Sequence, residues 1–128
     1  MFFENYSESF EKLIAKAADL TNKPFIHTVV KKSGEYVFEL NEIDISLTIL
    51  CRDIDGKRIE ADDLELEIFK SNNNLVLVVS KLNLPEEPIL WSGTKSIWMN
   101  SKNGKKCNSP HYSNKLENLA TRIKAFMD

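Results

Sequence analysis

Between Glu42 and Cys51 the chain alternates strictly: Ile43, Ile45, Leu47, Ile49 and Cys51 take every second position, with Glu42, Asp44, Ser46, Thr48 and Leu50 between them. Successive side chains of a strand point to opposite faces, so a period of two commits this segment to a sheet with one buried side. A helix would bring its apolar positions round every three or four residues and does not fit. The fold must therefore supply a layer to cover that face.

Two amphipathic segments at the ends of the chain can supply it. Phe3, Tyr6, Phe10, Leu13, Ile14 and Ala17 recur at helical spacing, and Asn5 with Glu8 has the capping-box separation, which predicts a helix over roughly 5–20. Thr21-Asn22-Lys23-Pro24 ends it, because proline restricts the residue before it and cannot continue the ladder. At the other end Leu116, Leu119, Ala120, Ile123, Phe126 and Met127 share one helical face, and Asn114 with Glu117 repeats the cap spacing.

The remaining segments read as follows. Phe25–Lys32 and Glu35–Leu40 are β-branched and aromatic runs separated by Ser33-Gly34, and are expected to pair as a hairpin. Ile59–Ser71 fits two periods: Leu64, Leu66 and Ile68 alternate as in a strand, while Ala61, Leu64 and Ile68 fall on one helical face behind Asp62 or Asp63 as caps, and the preferred reading is a short helix. Asn72-Asn73-Asn74 breaks the chain, and Leu75–Leu82 is a buried strand. After Pro85 and Pro88, Ile89–Trp91 and Ser96–Met99 are strands interrupted at Gly93, and 100–112 is a polar loop. The resulting order is α-β-β-β-α-β-β-α, an α+β domain over residues 1–128 with helices packed on a largely antiparallel sheet.

Composition narrows the class. Of 128 residues, 42% are hydrophobic and 28% charged, which is ordinary globular usage and excludes a disordered or collagenous chain. The net charge of −2 is unevenly placed, with residues 1–64 acidic and residues 65–128 basic. The basic excess, chiefly Lys95, Lys102, Lys105, Lys106, Lys115, Arg122 and Lys124, forms no dense run and reads as a solvated surface. No apolar run is long enough for a membrane helix and no basic-then-apolar leader precedes the first helix, so the expected location is cytoplasmic. Two cysteines cannot build a disulfide framework, and Cys51 on its strand is expected to be a buried structural thiol.

Catalytic and metal-binding patterns are missing at the spacings their chemistry needs. Asp53-Ile54-Asp55-Gly56 begins like a calcium loop, but Arg58 and Leu64 stand where the turn glycine and the bidentate acid are required, leaving a simple turn. His27, His111, Cys51 and Cys107 lack the short separations by which a turn presents paired zinc ligands. Four glycines, each alone, make no phosphate-cradling loop. No catalytic residue, metal or cofactor is expected, and the chain does not read as an enzyme. Trp91, Trp98, His111 and Tyr112 among the C-terminal lysines give an alternative, a small nucleic-acid-binding domain that stacks bases along a basic groove, although indoles within apolar runs more often anchor a core or an interface.

Three segments carry a family resemblance. Phe10-Glu11-Lys12-Leu13-Ile14 resembles the first helix of the class I type III secretion chaperones, effector-specific proteins of the Tir-chaperone kind. Tyr36-Val37-Phe38-Glu39-Leu40 leading into Ile43–Leu50 resembles their paired second and third strands, and Ile89-Leu90-Trp91-Ser92 with the closing helix resembles their last strand and helix. The resemblance implies a cytoplasmic homodimer that binds, without ATP, an extended segment near the N-terminus of a secreted effector. It further implies effector contact at Phe2, Phe3, Tyr6 and Phe10, and a dimer interface at Leu64, Ile68 and Phe69 of the middle helix with Trp91 at its margin. The alternative for the N-terminal aromatics is packing as a hydrophobic staple or core.

Overall fold

The computed structural model describes residues 6–32, 37–39 and 42–127, and in it the alternating segment is the longest strand. In chain order the elements are α1 (Tyr6–Thr21), β1 (Ile26–Lys31), β2 (Val37–Glu39), β3 (Glu42–Arg52), β4 (Leu64–Ser71), β5 (Asn74–Lys81), β6 (Ile89–Ser92), β7 (Ser96–Met99) and α2 (Ser113–Met127). One turn of 3₁₀ helix, Glu60–Asp62, precedes β4. The strands form one antiparallel sheet in the order β1-β3-β4-β5-β6-β7, with β2 also on β3, so the fold is α+β with both helices on one side of the sheet.

The period of two places Ile45, Leu47, Ile49 and Cys51 on the covered face, where none of them is exposed. Leu66, Ile68, Leu77, Val79 and Leu90 continue the same layer across β4, β5 and β6. Over it lie Ile14, Ala17 and Ala18 of α1 and Leu119, Ala120 and Ile123 of α2. The two helices also touch each other, and Phe10 meets Phe126 edge-on with ring centroids 6.0 Å apart. Burial of this apolar layer drives the assembly; at about 25 cal/mol per Å² each fully buried aliphatic side chain contributes roughly 1.5–3 kcal/mol.

The middle segment is a strand and not the expected helix. From Leu64 the buried positions alternate as Leu64, Leu66, Ile68, with Glu65 and Glu67 turned to the other face. Placed between β3 and β5, the backbone satisfies its polar groups on both sides through ladder hydrogen bonds, which outweighs the weak helical periodicity. Asp63 is no helix cap. Its buried carboxylate accepts the Cys51 N–H at 2.7 Å and two hydrogen bonds from Arg58, at 3.1 and 2.5 Å, which pins the start of β4 to the end of β3.

A second correction concerns the first two strands, which do not pair with each other. Both lie antiparallel along β3, β1 against Leu47–Arg52 and β2 against Glu42–Asp44, end to end on one edge. Glu39 and Glu42 are partners in the β2–β3 register, and Ser33-Gly34 lies outside the described residues. The Asn72-Asn73 break is a two-residue hairpin loop between Ser71 and Asn74; both asparagines have positive φ, 52° and 68°, as a type I′ turn requires. Asp53 forms the expected turn, its Oδ1 accepting the N–H groups of Asp55 and Lys57 at 2.9 Å with Gly56 at φ 86°.

Candidate functional site

One face of the sheet carries the helices; the other is open, and among the described residues no helix lies over it. Cross-strand partners share a face, so the register maps it directly. Phe69 pairs with Val76, Val78 with Trp91, Trp91 with Ile97 and Ile89 with Met99, which gathers seven apolar side chains on β4 to β7. Trp91 is 36% exposed and meets Phe69 edge-on at 6.1 Å. An open groove of about 720 Å³ borders this patch, with Val76, Trp91, Ile97 and Lys106 in its walls.

The flanks of the patch differ in charge. On one side Asp44 and Glu67 project from β3 and β4 on the same face, beside Glu65, whose carboxylate accepts from Lys32 Nζ at 3.0 Å. On the other side Lys106 bridges to Met99 beyond β7, and Lys95 sits in the β6–β7 loop. The charge thus changes across one surface, from acidic to apolar to basic.

A separate cleft of about 430 Å³ opens on the helical side, between the C-terminal end of α1, the 3₁₀ turn, the end of β5 and the entrance of α2. Its floor is apolar, from Ala18, Leu64, Leu116 and Leu119. One wall is a chain of hydrogen bonds. The Lys115 Nζ donates to Asn22 Oδ1 at 3.1 Å, and because an ammonium can only donate, this fixes which end of the Asn22 amide is oxygen. The amide nitrogen then faces His27 Nε2 at 3.4 Å, and the His27 Nδ1 proton goes to Asp19 Oδ1 at 2.9 Å. Asp19 Oδ1 also accepts the backbone N–H of His27 at 2.7 Å, so this histidine is a fixed strut between α1 and β1.

The opposite wall holds Lys81. Its Nζ lies 3.6 Å from Asp62 Oδ1, 3.4 Å from the Ala61 carbonyl oxygen and 4.7 Å from the centre of the Tyr112 ring. Burial, with Glu87 and then Cys107 adding to it, pushes the Tyr112 phenol up to about 12. Burial, reinforced by Asp62 and Asp63, likewise pushes the Cys51 thiol up to about 11. A cysteine nucleophile needs the reverse shift, so the Cys51–His27 neighbourhood on the sheet is not built to activate sulfur.

A family model described as a domain of unknown function (DUF8659) matches residues 11–126. The chain belongs to this family. No curated protein and no solved structure matches it at a significant level. The matched span of the DUF8659 model runs from within α1 to the last turn of α2, so it takes in both the open face and the cleft.

The residues singled out from sequence are divided by the DUF8659 fold. Phe2 and Phe3 lie outside the described residues, and Tyr6 begins α1. Phe10 is 1% exposed and packed against Phe126, so it serves the core and offers no surface to an effector. Leu64 and Ile68 are buried on the covered face, Leu64 at the floor of the cleft, and neither lies on the open face. Phe69 and Trp91, by contrast, come together on the open face. Trp98 is a core residue whose indole N–H donates to Glu117 Oε2 at 3.1 Å, so Glu117 is not the partner of an Asn114 cap and Asn114 lies inside α2. Trp91 and Trp98, in adjacent registers of β6 and β7, occupy opposite faces and do not form one stacking platform.

Two features have no signature in the sequence that local patterns could have found. The cleft joins residues 18–27 to 111–119, a separation no local period spans. The open patch is hidden because Val76, Val78 and Ile97 lie in continuous apolar runs, where both faces read as buried.

Proposed function

We propose that this protein is a non-catalytic binding module that pairs with a second copy of itself through the open face of the sheet and holds an extended segment of a client protein. The observation that carries the reading is the Phe69–Trp91 patch with its opposite charges on either side. A two-fold axis running along the strands near β5 and β6 would lay the acidic flank of one copy over the basic flank of the other while the apolar strips meet at the centre. A second copy is the one partner certain to carry both flanks at that spacing.

The client half of the reading draws on the resemblance to effector chaperones in the first helix and in the last strand and helix. Its dimer half does not use a middle helix, because β4 occupies that place. The chemistry agrees with binding more than with catalysis: the buried thiol is held protonated and His27 is fully engaged as a strut.

Sedimentation equilibrium of the full chain and of Trp91→Glu tests the pairing. The expected result is a dimer at micromolar concentration that becomes a monomer in the variant, since a buried aromatic hot spot is worth about 2–4 kcal/mol of association energy. A wild-type monomer at tens of micromolar overturns it. Co-purification with the N-terminal segment of the protein encoded beside this gene tests the client; a stable dimer that ignores that segment removes the effector-chaperone form of the proposal and leaves the pairing standing.

A further inference from the structure

The cleft on the helical side is independent of the open face, and its construction specifies a ligand. We infer that it binds a small organic anion with an apolar body and one carboxylate. A volume of about 430 Å³ falls within the range of small-molecule sites, roughly 300–1,000 Å³. The floor formed by Ala18, Leu64, Leu116 and Leu119 accepts hydrocarbon and offers it no hydrogen bond.

The rim carries two ammonium groups, Lys115 and Lys81, against one carboxylate, Asp62. Lys115 has an amide oxygen as its hydrogen-bond partner, and among the described residues no carboxylate lies within ion-pair distance of it. Lys81, with a side chain only 13% exposed, is held over the Tyr112 ring and 3.6 Å from Asp62, a separation longer than a close ion pair. The first turn of α2 opens on the same cleft and contains no acidic side chain, so the positive end of the helix dipole is not offset there. Two ammonium groups and a helix entrance above an apolar floor select a carboxylate over a neutral head group and an apolar tail over a polar one.

The positions of the ammonium groups are fixed from behind. Lys115 is tied through Asn22 to the His27 strut, and Lys81 is held between the 3₁₀ turn and the Tyr112 ring. The charge is therefore placed before a ligand arrives, which lowers the ordering cost of binding.

Such a carboxylate comes either from a free small acid or from the C-terminus of a peptide. Amide NMR of the full chain, titrated with octanoate, 1-octanol, acetate and a pentapeptide ending in leucine as free acid or amide, separates these. Octanoate is expected to shift the amides of Leu64, Leu116 and Leu119. Octanol and acetate should each bind about tenfold more weakly, because octanol cannot make the charge-assisted hydrogen bond and acetate has no hydrocarbon tail to bury on the floor. Lys115→Met, an exposed change that keeps most of the aliphatic side chain and removes the charge, should weaken octanoate about tenfold, while Lys102→Met, whose ammonium pairs with Glu86 at the surface away from the cleft, should leave it unchanged. Competition by the free-acid pentapeptide but not its amide assigns the site to a peptide terminus; failure of both with octanoate bound assigns it to a free acid. Equal binding of octanol and octanoate, or undiminished octanoate binding by Lys115→Met, overturns the inference. Neither result bears on the oligomeric state.

Discussion

Replacing Asp63 tests the corner from which the cleft is hung. Its carboxylate, 1% exposed, holds the Cys51 N–H, both Nη atoms of Arg58 and, at 3.4 Å, the amide of Asn83, so it joins β3, β4 and the segment after β5. Asp63→Ala strands the Cys51 N–H in the core, a cost of about 1–3 kcal/mol. It also removes the counter-ion of Arg58; breaking a buried pair from one side costs about 3–5 kcal/mol, but the Arg58 side chain is 30% exposed and water can solvate it, which places the sum near the lower end of that range. The expected loss is about 3 kcal/mol, or roughly 10 °C in Tm for a domain of this size. Asp63→Asn keeps an acceptor for Cys51 and should lose only about 1–2 kcal/mol. Urea denaturation followed by far-ultraviolet circular dichroism measures both, and the double variant with Arg58→Ala should lose less than the two single changes together. Alanine and asparagine variants both within about 0.5 kcal/mol of the parent would refute the structural role of this carboxylate.

Asn73→Gly should stabilise the protein by a few tenths of a kcal/mol up to about 1 kcal/mol, because glycine takes the positive φ of the second turn position without strain, whereas Asn73→Val should destabilise it by about as much or more; urea midpoints report both. Alkali should weaken the fold in a defined window. With Cys51 raised from 9.0 to about 11 and Tyr112 from 10.0 to about 12, the folded chain keeps protons that the unfolded chain releases first. Stability contributed by these groups is therefore complete below about pH 9 and is lost as pH rises through 11 to 12. Tyr112→Phe should abolish the upper part of that decline, and stability that holds level from pH 9 to 12 would contradict it.

Much of this architecture was legible because single periods were strong. The alternation from Ile43 to Cys51 placed the longest strand and its buried face, and the two terminal helices followed from spacing alone. The middle segment was not legible. Leu64 and Ile68 satisfy both a period of two and a helical step of four, and the choice was made by neighbours β3 and β5, which only the folded sheet supplies. For the same reason, the exposed partners of Trp91 were hidden: which side of an apolar run faces solvent depends on where the helices settle.

The helices that cover the sheet come from opposite ends of the chain. Five consecutive strands, β3 to β7, join their neighbours in sequence order, and their pairings are local. The closing contacts are not: Asn22 and Lys115 are 93 residues apart, and Phe10 reaches across to Phe126. On a ribosome the meander can form its ladders while its apolar underside still lacks α2, the last described element to emerge. Until α2 docks, the nascent chain carries apolar surface on both faces of one sheet, and that interval is when aggregation is most favoured.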